Sequence, residues 1–198
     1  MTGPEQEPGL PEQALSPEGE RRLTPRIYVS SLSDYNAGRL HGEWVDASQE
    51  LDAVEQAVQN MLARSPTPGA EEYAIHDHED FGPLHVDEFL PLRTVTRLAA
   101  GIAEHGLAYA YWAHGLDSIH LSDDYLDQFD EFYVGTFNSV TEFAQEQLDS
   151  CGIDLDEIGP ESLRPYIRFD LEAYARDLSY DYRMQTGPDG RVHVFNVE

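Results

Sequence analysis

Apolar residues recur along the chain with two different periods, and each change of period marks a new element. The run from Arg26 to Leu32 is rich in β-branched and aromatic residues and predicts a strand. Asp34, Asn36 and Gly38 then supply turn chemistry before a second extended run, Leu40 to Val45, so a hairpin is expected. Leu51, Val54, Val58, Met61 and Leu62 follow at helical spacing, with Asp46 or Ser48 as the expected N-cap and Ser65-Pro66 as the stop. A third strand, Tyr73 to His76, completes a ββαβ unit. Val95, Leu98, Ala99, Ile102 and Ala103 define the next helical stripe, which Gly106 ends, and Leu107 to Trp112 reads as a second apolar helix. Ser122 is expected to cap a third helix in which Tyr125, Phe129 and Phe132 share a face.

The last third begins with a strand, Phe132 to Phe137. A helix from Ser139 then directs Val140, Phe143, Ala144, Leu148 and Cys151 inward. Another helix spans about Phe169 to Leu178, and a hairpin closes the chain: Tyr180 to Gln185 and Arg191 to Asn196, turned by Gly187-Pro188-Asp189-Gly190. Strand runs and helix runs are segregated, so the fold class is α+β. Residues 1–23 carry four prolines, three glycines and five glutamates with little to bury, and read as a disordered extension. The single cysteine, Cys151, allows no intrachain disulfide, and no stretch has the length of a membrane span, so the cytoplasm is the expected compartment.

Charge changes this picture more than composition does. The 198 residues hold 38 Asp plus Glu against 12 cations, all arginine, for a formal net charge of -26. Such a chain lacks the cations that bind phosphates or anionic membranes, so neither nucleic acid nor membrane is an expected partner. An apolar fraction of 40% with 21 aromatics is nevertheless enough for a core. The distribution is uneven. Two cation-free stretches, 28 residues between Arg64 and Arg93 and 66 between Arg97 and Arg164, hold 21 of the 38 acids. Residues 164–198 instead carry five arginines against six acids.

Glu142, Glu146 and Asp149 fall at i, i+4 and i+7 on one helix, and Asp123, Asp127 and Asp130 repeat the spacing on the helix before it. Like charges so placed cost a helix a few tenths of a kcal/mol each. With a rise of about 1.5 Å per residue they form a row of carboxylates about 6 Å apart. At roughly one charge per 1.7 Å of duplex axis, the net charge equals that of about 44 Å of DNA. Solubility or halophilic adaptation also produces acidic surfaces. Halophilic acids should be spread evenly, however, whereas these avoid one segment.

An enzymatic alternative rests on His76-Asp77-His78-Glu79-Asp80, with His85 nearby. His76 and His78 would share one strand face, a possible metal-ligand arrangement in an acidic, halophile-like enzyme. No third ligand stands at diagnostic spacing, and there is no phosphate-binding Gly-rich loop, nucleophile elbow, HExxH or CxxC. Neither cofactor nor metal is therefore expected.

Several segments resemble one known family. Pro25-Arg26-Ile27-Tyr28-Val29-Ser30-Ser31-Leu32-Ser33-Asp34-Tyr35-Asn36, continuing through Gly38-Arg39-Leu40-His41-Gly42-Glu43-Trp44-Val45-Asp46, is similar to the opening of the ArdA family of antirestriction proteins. Glu72 to Asp77, Tyr133 to Phe137 and Pro160 to Leu178 resemble later blocks, in the same order. The resemblance implies an elongated chain of three small domains, here 24–86 (α+β), 87–130 (helical) and 131–198 (α+β, carrying the dimer contact). It implies a protein that is not an enzyme. Its acids would imitate bent B-form DNA and occupy the DNA groove of type I restriction-modification enzymes, at the methyltransferase core, protecting incoming mobile DNA. An acidic antagonist of other DNA-binding proteins would share the electrostatics but not the target.

On this reading the mimetic surface comprises Glu71, Glu72, Glu79, Asp80, Asp87, Glu88, Glu104, Asp117, Asp123, Asp124, Asp127, Asp130, Glu131, Glu142, Glu146 and Asp149. Ile158, Pro160, Glu161, Leu163, Tyr166, Phe169 and Asp170 would form the antirestriction motif, near the contact of a homodimer.

Overall fold

The computed structural model describes residues 22–116, 121 and 123–197, with Asp123 and Asp156 described by backbone only. The expectations for residues 1–21, the Ser122 cap and Asp117 lie outside the described residues. Leu23, placed by composition in the extension, packs against the first core.

The expected hairpin forms from β1 (Arg26–Ser31) and β2 (Gly42–Asp46), antiparallel with Tyr28 opposite Trp44. The turn chemistry between them becomes a short helix, α1 (Leu32–Asn36), capped by the Ser31 hydroxyl. The Asp34 carboxylate on α1 is fully buried. It accepts hydrogen bonds from Ser65, from Thr67 Oγ1 at 2.6 Å and from Arg39 Nε at 3.2 Å. Burial alone would raise this carboxyl, but the donors outweigh it and hold the group well below the usual carboxylate range. α2 (Leu51–Ala63) lays Val54, Val58, Met61 and Leu62 on the sheet. Its N-cap is Glu50, not Asp46 or Ser48: Asp46 Oδ1 accepts instead from Ser48 N (2.9 Å) and Oγ (2.6 Å), closing a local turn before the helix starts.

The third strand, β3 (Tyr73–Glu79), is longer than its apolar run and pairs with β1, giving the sheet order β2-β1-β3. α3 (Leu92–His114) contains Gly106 at φ 66, ψ -147, so it is two helical segments joined at the glycine where the pattern stops. The expected single third helix is instead two short ones, α4 (Asp123–Leu126) and α5 (Phe129–Phe132). The break lets Tyr125, Phe129 and Phe132 surround Trp112, with ring centroids 5.8, 5.5 and 6.0 Å away. Burying aromatics of this kind is worth up to about 1.5–3 kcal/mol each, so three together outweigh the few hydrogen bonds of one helix turn, at about 0.5–1.5 kcal/mol net each.

β4 (Tyr133–Phe137), α6 (Val140–Ser150), α7 (Leu171–Asp177), β5 (Tyr182–Thr186) and β6 (Val192–Asn196) complete the chain, with the second sheet ordered β4-β6-β5. Ser139 caps α6 as expected, its hydroxyl accepting from Glu142 N at 3.0 Å, while the Glu142 carboxylate accepts from Asn138 N in return. Cys151 does not face inward; it ends α6 and is exposed.

Two buried clusters result. The first joins β1, α2 and α3 with Leu126 and Phe129, so residues from 24–86 and from 87–130 share one core. The second contains Phe137, Phe143, Ala144, Ala175, Leu178, Val192 and Val194. Phe195, on β6 of the second sheet, belongs to the first cluster. No described helix is long and apolar enough to cross a membrane.

Candidate functional site

A carboxylate left without a local cation stays solvated unless the fold brings a distant arginine to it. Glu71, Glu72, Glu79, Asp87, Glu88, Glu104, Asp124, Asp127, Asp130, Glu131, Glu142, Glu146 and Asp149 are all exposed. Asp80 is half-buried: it takes φ 62 at the end of β3, and its Oδ2 accepts from Thr24 N at 3.1 Å. The side chain of Asp123 lies outside the described residues.

α6 carries Glu142, Glu146 and Asp149 on one exposed face, opposite buried Phe143, Ala144 and Leu148. Glu142 is also a cap ligand, and Asp149 Oδ1 accepts from Gln145 Nε2 at 2.8 Å. The row expected at Asp123, Asp127 and Asp130 is not continuous. Asp127 sits in the turn between α4 and α5 and is ion-paired with Arg97 of α3. Glu79 is paired with Arg26 across the first sheet.

His76 and His78 do not alternate as in a regular strand. The register with β1 shifts between Tyr28 and Val29, which face Asp77 and Ile75, so His76 is the extra residue of a bulge. His76 packs edge-on against Tyr35 at 4.6 Å, with Glu88 at 3.6 Å. His78 stacks on Phe81 at 5.8 Å, and its Nε2 donates to the Leu84 carbonyl at 3.2 Å. Burial lowers the His78 pKa, opposed by Asp77 and assisted by His85. Both histidines line a shallow depression with His85 and Glu88. No group of three or more His, Cys, Asp or Glu among the described residues is placed to hold a metal ion.

The segment from Ile158 to Asp170 is mostly loop, with one 3-10 turn at Arg164–Tyr166. Arg168 Nη1 donates to the carbonyls of Pro165 (3.1 Å) and Ile167 (2.8 Å), and the Asp170 carboxylate caps α7 by accepting from Ala173 N at 2.9 Å. Ile158 is half-buried, and Pro160 and Glu161 are exposed. Leu163, Tyr166 and Phe169 are 51%, 83% and 39% exposed, and Ile153 and Tyr180 nearby in the chain are exposed too. Large apolar side chains so open to solvent mark a contact surface more often than chance.

The two clusters meet at a seam that charge patterning gave no means of finding. Arg183 of β5 donates through Nη2 to the Trp112 carbonyl in the last turn of α3, at 2.9 Å, and lies over the Phe195 ring at 5.1 Å. Tyr111 of α3 stacks on His193 of β6 at 5.3 Å. His193 Nδ1 is 2.8 Å from Thr136 Oγ1, while its buried Nε2 has no hydrogen-bond partner among the described residues. Burial lowers the His193 pKa, with Asp189 opposing.

A family model described as antirestriction protein (ArdA) matches residues 27–193. No curated protein matches the chain.

Proposed function

The chain belongs to the ArdA antirestriction family, and from that premise we propose that it inhibits type I restriction-modification enzymes by presenting carboxylates where the enzyme expects DNA phosphates. The observation that carries this reading is the exposed α6 row of Glu142, Glu146 and Asp149, in a stretch of 66 residues without a cation. A groove lined with Arg and Lys binds such a surface as it binds DNA, with fast association that weakens as salt rises. Carboxylates held on a folded scaffold need little ordering on binding, which favours affinity over a flexible polyanion. The protected DNA is the incoming mobile DNA that restriction would otherwise cut.

On this reading the chain acts as an elongated homodimer, with 24–86 and 87–130 built on one core and 131–198 carrying the second. The exposed apolar side chains Tyr166 and Phe169 lie within residues 164–198, which are close to neutral, and exposed Leu163 immediately precedes them. Two polyanions associate with least self-repulsion at such a place. Tyr166→Asp yields monomers by sedimentation on this reading; an intact dimer would count against it.

The deciding experiment is competition with duplex DNA for a type I methyltransferase core over a range of salt. Displacement that weakens steeply with salt supports mimicry; an inhibition constant unchanged between low and high salt sinks it. Equal displacement of DNA from unrelated DNA-binding proteins would favour a general acidic antagonist. Stoichiometric metal in the purified protein would favour the enzymatic alternative at His76 and His78, which the divergent packing of those rings does not support.

A further inference from the structure

An acidic surface split between two cores imitates one ligand only if the cores keep a fixed mutual orientation. The Trp112 carbonyl in the last turn of α3 accepts from the Gly115 N–H at 3.1 Å and, with its second lone pair, from Arg183 Nη2 at 2.9 Å. The guanidinium that donates there also covers the Phe195 ring, the one β6 side chain that enters the first core. Gly115, the C-cap of α3, has φ -82, a conformation any residue adopts. A Cβ at that position would nevertheless collide with the Arg183 guanidinium, so the glycine leaves room for the arginine rather than for a turn. A planar guanidinium can donate and stack together; an ammonium on a flexible stem does this poorly. Around it, Asn196 Nδ2 donates to the Glu131 carbonyl at 3.4 Å and His193 stacks on Tyr111.

We propose that Arg183 is a positioning residue: it locks β5 and β6 onto the end of α3 and so sets the α6 carboxylate row at a fixed angle to the acids of the first core. The functional half of this inference rests on the mimicry reading; the geometric half does not. Two rigidly joined surfaces bind as one ligand, and loosening the joint lowers the effective concentration of the second once the first is bound.

The test uses the full chain with a spin label on the exposed Cys151 at the end of α6 and a second on Gln59→Cys of α2, diluted with unlabelled protein so that only distances within one chain are read. The parent protein should give one narrow distance distribution. Arg183→Met and Gly115→Ala should both broaden it, the second while keeping the charge, and Arg183→Lys should broaden it partially. In competition with DNA, both disrupting variants should lose about tenfold in inhibition, with a flatter salt dependence because fewer acids engage together. Distributions as narrow as the parent's overturn the inference, and so does unchanged inhibition beside a broadened distribution. A parent protein that fails to displace DNA would defeat the mimicry reading while leaving the distance measurement to decide the role of Arg183. Circular dichroism of each variant separates loss of the joint from loss of the fold.

Discussion

α6 presents Glu142, Glu146 and Asp149 as one continuous exposed row, whereas the acids from Asp124 to Asp130 are divided between two short helices and a turn, with Asp127 held by Arg97. The difference lies on the apolar side. Phe143, Ala144 and Leu148 of α6 are buried at helical spacing, the first two in the second core, so continuous helix and good packing coincide. Tyr125, Phe129 and Phe132 must wrap one indole, and a straight helix does not deliver all three to it. A charged face is as regular as the apolar face beneath it permits.

The largest effect should come from removing the packing under the regular row. Phe143→Ala is expected to cost about 3–5 kcal/mol, read as a lower urea midpoint. Unfolding unchanged by this variant would mean that α6 does not depend on the second core.

Neutralising charges sharpens the contrast without disturbing the fold. Glu146→Gln with Asp149→Asn should lower the slope of log inhibition against log salt by roughly one to two, since each engaged anion contributes up to about 0.9. Asp127→Asn should change it much less, because Arg97 already offsets that charge. Equal slopes for the two variants would erase the distinction between the regions. Arg97→Met isolates the pair itself: with the side chains 39% and 64% exposed, the loss should be at most about 1 kcal/mol by chemical denaturation.

The smallest effect is a pH dependence at the seam and on β3. Burial lowers the folded-state pKa of His193 and His78, so as pH drops through about 6.5 the unfolded chain takes up protons first and stability falls. His193→Asn should flatten part of that slope below about pH 6.5 in thermal melts. Melts of the variant that track the parent throughout would show that His193 does not contribute.

How far each region was legible follows from the same physics. The hairpin, α2, the Gly106 break, the Ser139 cap and the closing hairpin announce themselves through local periodicity and turn chemistry. Cys151 falls on the inward stripe of α6 by spacing, yet stands one position past the end of the helix and is exposed. The bulge at His76 leaves no mark in the sequence, because period-two alternation says nothing of a partner strand's register. Asp34 read only as a turn former, yet Ser65 and Thr67, some thirty residues on, make it a buried anchor.

The chain by itself determined which residues would be charged, where cations would be scarce and which turns would close, because these depend on composition and near neighbours. The family model likewise matches it over residues 27–193. Only the tertiary structure decided which carboxylates form a row, which are spent on caps and ion pairs, and that Arg183 joins the two cores. Those outcomes depend on partners distant in sequence, and on apolar side chains whose burial outweighs the weaker preferences of the charged face.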